Sequence, residues 1–158
     1  MASILARKTK QQTEKAGYSE TPLVQKLGIR PGARITFVNS PRGFTNSLDL
    51  PPDVKLNSRS QKPLDLVLLF VKSESDLRAG LPQWARRLTP SGMLWVAWPK
   101  KSSGVATNLS FNNVQAIGLS EGLVDTKICA VDEVWSGLKF VFRLKDRPKL
   151  AAKRRPNL

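Results

Sequence analysis

A chain of 158 residues, 41% hydrophobic and 24% charged, has the length and balance of one globular domain with a core of its own, which excludes collagen-like and wholly disordered chains. Its formal charge of +14, from 26 Lys and Arg against 12 Asp and Glu, points to anionic partners. With no histidine, Ser-His-Asp and Cys-His catalysis and His-ligated metals are excluded; with Cys129 as the single cysteine, so are disulfide frameworks and thiolate zinc sites, and no metal site is expected.

Residues 1–15 set Arg7, Lys8, Lys10 and Lys15 against Glu14 and lack the apolar core of a secretory signal; they read as a basic flexible tail. The longest apolar run, Leu66–Val71, falls far short of the roughly 20 residues that cross a bilayer, so no membrane partner and a cytoplasmic location are expected. Thr21 as N-cap, Pro22 at the first helical position, apolar Leu23, Val24 and Leu27, and Gly28 as terminator predict a short helix. Ile35–Asn39 is a β-branched and aromatic strand ending in the loop Ser40-Pro41-Arg42-Gly43. Thr45–Leu50 reads as a helical turn and Val54–Asn57 as a weak second strand. Leu64–Val71, almost continuously apolar, reads as a strand buried on both faces of a parallel sheet.

Ser73 is placed to cap a helix with Asp76 at its third position, its stripe being Leu77, Leu81, Trp84 and Leu88; Gly80 and Pro82 should bend or split it. The turn Thr89-Pro90-Ser91-Gly92 leads into a strand, Met93–Trp98, closed by Pro99. Ser110 opens a helix with Phe111, Val114 and Ile117 inward and Gly122 at its end. Val124–Val131 and Leu138–Arg143 follow as an antiparallel hairpin. Residues 143–158 hold seven basic groups against Asp146, leaving only +5 for residues 16–142. The chain therefore divides into a tail (1–15), one α/β domain (16–146) and a second basic flexible tail (147–158). Strand–helix alternation with short loops implies right-handed crossovers: a Rossmann-like α/β fold, its mostly parallel sheet flanked by helices on both faces and completed by a C-terminal antiparallel hairpin. Ligands of such sheets bind outside the carboxyl ends of the strands.

The order DLVLLFV, helix, LTPSGMLWVAWP, helix, hairpin resembles the second half of the class I S-adenosylmethionine-dependent methyltransferase fold, LTPSGMLWVAWP resembling that family's turn into its fifth strand. The segments AGYSETPLVQKLGI, WPKKSSGVATNL and ICAVDEVWSGLKF, between Ala16 and Arg143, are similar to a family of small bacterial proteins, a domain of unknown function. The methyltransferase resemblance implies a degenerate form of that fold. Glycines after the first strand and an acid after the second usually hold such a cofactor, whereas here Ser-Pro-Arg-Gly and Asn57-Ser58-Arg59 stand in those places. No cofactor is expected on these residues, with S-adenosylmethionine kept open.

At the predicted ligand edge, Lys100, Lys101, Ser102, Ser103, Gly104 and Thr107 have the composition of an anion cradle, lysines as point charges and hydroxyls as geometry; a plain solvated crossover loop has the same composition. Asp132 and Glu133 stand beside Trp135, and neighbouring carboxylates can shift a pKa. Side chains adjacent in a strand point apart, however, so a structural turn over a packed indole also fits, and Asp132 is placed to pair with Lys100 or Lys101. Of the four tryptophans, Trp84 and Trp95 read as core, while Trp98 and Trp135 flank the predicted cleft as candidate stacking platforms. Cys129 reads as a small buried hydrophobe. Three functions follow. The first is a non-catalytic module that binds a small anionic ligand through Lys100, Lys101, Ser103, Thr107, Asp132 and Trp135. The others are a divergent methyltransferase, with unassigned catalytic residues, and a nucleic-acid accessory protein acting through its tails, Lys153 to Arg155 included. Oligomeric state is not legible.

Overall fold

The computed structural model describes residues 21–153, so the N-terminal tail lies outside the described residues. Helix α1 (Leu23–Leu27) starts from Pro22 with no side-chain cap, against the expectation for Thr21, and stops at Gly28, where a φ of 86° suits glycine. Six strands form one sheet: β1 (Arg34–Val38), β2 (Lys55–Leu56), β3 (Leu64–Phe70), β4 (Leu88–Pro99), β5 (Leu123–Ala130) and β6 (Trp135–Phe142). Their order is β2-β1-β3-β4-β6-β5. The first four are parallel; β6 runs antiparallel between β4 and β5. Strand addition reverses direction between β1 and β3, and that switch point is where an open α/β sheet offers its crevice.

Four segments differ from the sequence reading. Thr89–Gly92, expected as a turn, belongs to β4, because Leu88 pairs with Leu64 across an irregularity before the regular register of Leu66 with Met93. Leu88 is thereby a strand residue and not the last position of a helical stripe. Helix α2 (Glu74–Ala85) runs unbroken past Gly80 and Pro82. Pro82 lies in its last turn, and Gly80 faces Leu69 of β3, 3.4 Å from where a Cβ would stand, a close helix–sheet approach. In α3 (Phe111–Ser120), Ser110 and Asn113 form a reciprocal capping box and Val114 and Ile117 are buried, but Phe111, expected inward, is 37% exposed and lies outside both core layers. Arg147–Lys153, assigned to a basic tail on sequence, is a helix (α4) whose Leu150 packs against the core; residues 154–158 lie outside the described ones.

Alternation along β3 and β4 divides the core in two. Val67, Leu69, Leu94, Val96 and Trp98 point to the face covered by α2, α3 and α4. Leu66, Leu68, Phe70, Trp95 and Ala97 point to the other, which α1 and the segment from Phe44 to Val54 cover. Trp95 locks that second layer: its buried indole Nε1 donates to the Leu27 carbonyl at 2.9 Å, satisfying one of the last carbonyls of α1. Four rings extend it to the sheet edge, Phe37, Phe44, Phe70 and Trp135 meeting edge to face at centroid separations of 5.0–5.4 Å. Among the described residues no helix is long and apolar enough to cross a membrane.

Of the described glycines, Gly118 stands nearest a neighbour: where α3 crosses β6, a methyl group at this position would overlap the Phe140 ring. Gly118→Ala should lower stability by about 1–3 kcal/mol; an unchanged urea midpoint would mean that the ring has room to turn.

Candidate functional site

The edge at the carboxyl ends of β1, β3 and β4 is built largely of polar side chains tied to the backbone. Ser103 donates from Oγ to the Lys100 carbonyl at 2.6 Å and accepts from Val105 N, closing the turn over Lys101–Ser103. Thr107 donates to the Lys72 carbonyl at 2.7 Å and accepts from Leu109 N, fastening the loop to the end of β3. Asn108 continues this seam by accepting from Glu74 N, in the first turn of α2. Asp132 accepts through Oδ1 from both Val134 N and Trp135 N, each at 2.8 Å, so its carboxylate holds the β5–β6 turn. That turn meets the exit of β4 through Lys100 N, which donates to the Val134 carbonyl at 2.7 Å.

The structure thus brings Lys100, Lys101 and Ser103 together and sets the Asp132 turn beside them, while Thr107 sits apart over β3. No ion pair joins Asp132 to either lysine, and among the described residues neither lysine has an acidic partner. Trp98 and Trp135 do not flank one cleft. They point to opposite faces of the sheet and are 5% and 7% exposed, because strand alternation sends Trp98 under α3 and Trp135 against Phe70. The stacking-platform expectation is corrected accordingly. Cys129 is half-buried against the second core layer, as its strand position suggested, and burial pushes its thiol above the ordinary range.

A feature missed on sequence is the set of lysines around Cys129. Lys26 of α1 donates to the Ala130 carbonyl at 3.2 Å, and burial, reinforced by Lys127 and Lys100, holds its ammonium below the usual lysine range. Lys139 is lowered by burial and then by Lys127. The available signal was a lysine beside apolar residues in each of two strand segments, KICA and LKFV, whose facing positions only the register reveals.

At the switch point, aromatic contacts around Phe44 adjoin a cavity of about 350 Å³ bordered by Thr36, Val38, Asn39, Asn57, Ser58, Trp84 and Arg87. The Phe44 ring stands between Phe37 and Phe70, and Asn39, with φ at 61°, points its amide at the Phe70 carbonyl from 3.4 Å. Beyond β2, Asn57 accepts from Phe37 N at 2.8 Å where an acid would grip a ribose. A methyl donor in its customary place would need open backbone amides after β1 and that acid. Pro41, the Phe44 ring and Asn57 do not fit it.

No protein-family model matches the chain, and no curated protein matches it. Solved structures do. An S-adenosylmethionine-dependent methyltransferase from Aquifex aeolicus superposes with a TM-score of 0.55 at 11% identity, over 75% of this chain and 86% of that one. A TehB-like S-adenosylmethionine-dependent methyltransferase from Corynebacterium glutamicum gives 0.51 at 12%, over 77% and 85%. The fibrillarin pre-rRNA processing protein of Methanococcus jannaschii gives 0.51 at 11%, over 76% and 73%.

Two measurements probe this edge. Asp132→Ala removes an ionised acceptor from two turn amides and should cost about 2 kcal/mol in urea unfolding; an unaltered midpoint would mean that the backbone bonds alone hold the turn. For pH, the unfolded chain binds more protons at Lys26 and Lys139 than the folded one between their depressed values and the ordinary lysine value, so stability should rise with pH through that interval. Cys129 acts oppositely, since the unfolded thiol ionises first. In a Cys129→Ser background the thermal midpoint should therefore climb as pH approaches about 10.4, and Lys26→Met should flatten the climb; a midpoint that falls in both proteins would refute the assignment.

These likenesses, at 12% identity or less, establish one thing: the chain has the mostly parallel, Rossmann-like fold of S-adenosylmethionine-dependent methyltransferases.

Proposed function

We propose that this protein is a non-catalytic binding module on a methyltransferase-like fold, taking a small anionic ligand at the carboxyl edge of its sheet through Lys100 and Lys101. The observation that carries the reading is the contrast within that edge. Ser103, Thr107 and Asp132 are engaged with backbone, whereas the two lysines stand on a built turn with no acidic partner among the described residues. Two ammonium groups without a carboxylate neighbour attract a multivalent anion, and the fixed turn lowers the entropy lost in gathering them. In this reading Ser103 and Asp132 position the turn and do not themselves contact the ligand. Trp135 supports it from beneath.

The other reading, a divergent methyltransferase, draws on the fold and its S-adenosylmethionine-dependent neighbours. Against it stand the Phe44 ring in the loop after β1 and an amide, Asn57, in place of a carboxylate after β2.

One calorimetric series separates the two. Inorganic pyrophosphate titrated into the full chain should bind saturably, and Lys100→Ala/Lys101→Ala should weaken it at least about tenfold, the order expected for losing charge-assisted contacts. S-adenosylmethionine and S-adenosylhomocysteine should give no saturable heat at millimolar concentration. Equal pyrophosphate affinity in the variant defeats the lysine assignment; saturable donor binding moves the protein to the methyltransferase reading.

A further inference from the structure

The last two strands carry a positive feature of their own. Lys127 of β5 and Lys139 of β6 are register partners, so both stand on one side of the sheet with Cβ atoms about 5 Å apart. It is the side of Trp95, the register partner of Lys139 on β4, and of Cys129. Lys26 reaches the same side from α1, donating to the Ala130 carbonyl, while the Lys127 ammonium donates to the Lys26 carbonyl at 3.4 Å. Lys139, Lys127 and Lys26 thus set three ammonium groups in succession on this side, from mid-β6 to the end of β5.

Among the described residues no acid answers them. Asp125 faces the other side, where it accepts from Gln115 of α3; Asp132 is engaged in its turn; and the two ion pairs, Arg78 with Glu74 and Arg143 with Asp146, lie elsewhere. Like charges directly opposite in a sheet repel, and any neutral side chain at 127 or 139 would relieve that cost. Burial adds to it by opposing the charged forms of Lys26 and Lys139. A fold that holds unpaired ammonium groups in a row has its charge complemented by a row of anions.

We propose that this row is a docking track for the phosphodiester backbone of a single-stranded nucleic acid. Lysines are point charges that grip phosphates without reading bases, and a row along a sheet suits successive phosphates better than one compact anion. A lipid surface would need large apolar side chains to bury. Of those exposed in the described chain, Ile128 points to the opposite side, Phe111 and Leu119 are on α3, and Leu144 lies past the end of β6. The track is in the folded body and goes beyond the small-anion reading, on which it does not rest: it is tested with Lys100 and Lys101 unchanged.

The experiment is fluorescence anisotropy of a labelled mixed-sequence RNA of about 20 nucleotides with the full chain, across about 50–200 mM KCl. Lys26→Gln/Lys127→Gln/Lys139→Gln should weaken binding at least about tenfold and make the dependence of log affinity on log salt shallower by about 2, three phosphate contacts at roughly 0.7 each. A charge-matched variant at the other end of the sheet, Lys55→Gln/Arg59→Gln/Lys62→Gln, should lose less than about threefold. Lys127→Gln/Lys139→Gln removes a repulsion, so its thermal midpoint should hold or rise while its affinity falls, which separates lost contacts from lost folding. Equal losses in the two triple variants, no loss in the first, or no RNA binding by the unaltered chain would overturn the proposal.

Discussion

The parallel pairing of β3 with β4, each buried on both faces, is the constraint from which the other parts take their places. Once Leu66, Leu68, Trp95 and Ala97 are committed to one face, their neighbours are committed to the other, and a one-residue slip would exchange the two cores. Trp95 makes this register specific, since the indole reaches the Leu27 carbonyl from only one of the two faces. The antiparallel insertion of β6 beside β4 then brings the β5–β6 turn to the same edge as the exit of β4. That is why Lys100 and the Asp132 turn are neighbours although more than thirty residues separate them in sequence.

In an open α/β sheet the switch point is a natural crevice because the two loops diverge there. In this chain the loop after β1 turns back instead and inserts Phe44 between Phe37 and Phe70, so an aromatic contact occupies the place where backbone amides would face a ligand. Asn39 and Asn57 bond to backbone groups of the adjacent strands. The lysines at the end of β4 have no acidic partner among the described residues.

Much of this was legible from sequence where the signal was local. The continuous apolar run of β3, the Ser73 and Ser110 caps, the Gly28 stop and the terminal hairpin all follow from side-chain chemistry within a few residues. What escaped depended on partners distant in the chain. Thr89–Gly92 has the composition of a turn, yet becomes strand because Leu64 stands ready to pair with Leu88. Pro82 reads as a breaker but falls in the final turn of α2, where little helix remains to break. At the site, the lysines of the β4 turn were evident. The opposite facing of Trp98 and Trp135 was not, since it depends on which strand each occupies relative to the sheet; nor was the alignment of Lys127 with Lys139, which depends on the hairpin register.

The irregularity in the β5–β6 ladder between Asp125 and Lys127 has one more consequence. β5 is the longer of the two edge strands, eight residues against two for β2, and a long flat edge invites another chain to add itself. A displaced register sharpens the local twist and breaks the even spacing of donors and acceptors that an added strand would need. A lysine set immediately after it would face the lysine of any second copy stacked in the same orientation. Both features oppose the addition of a further strand along β5.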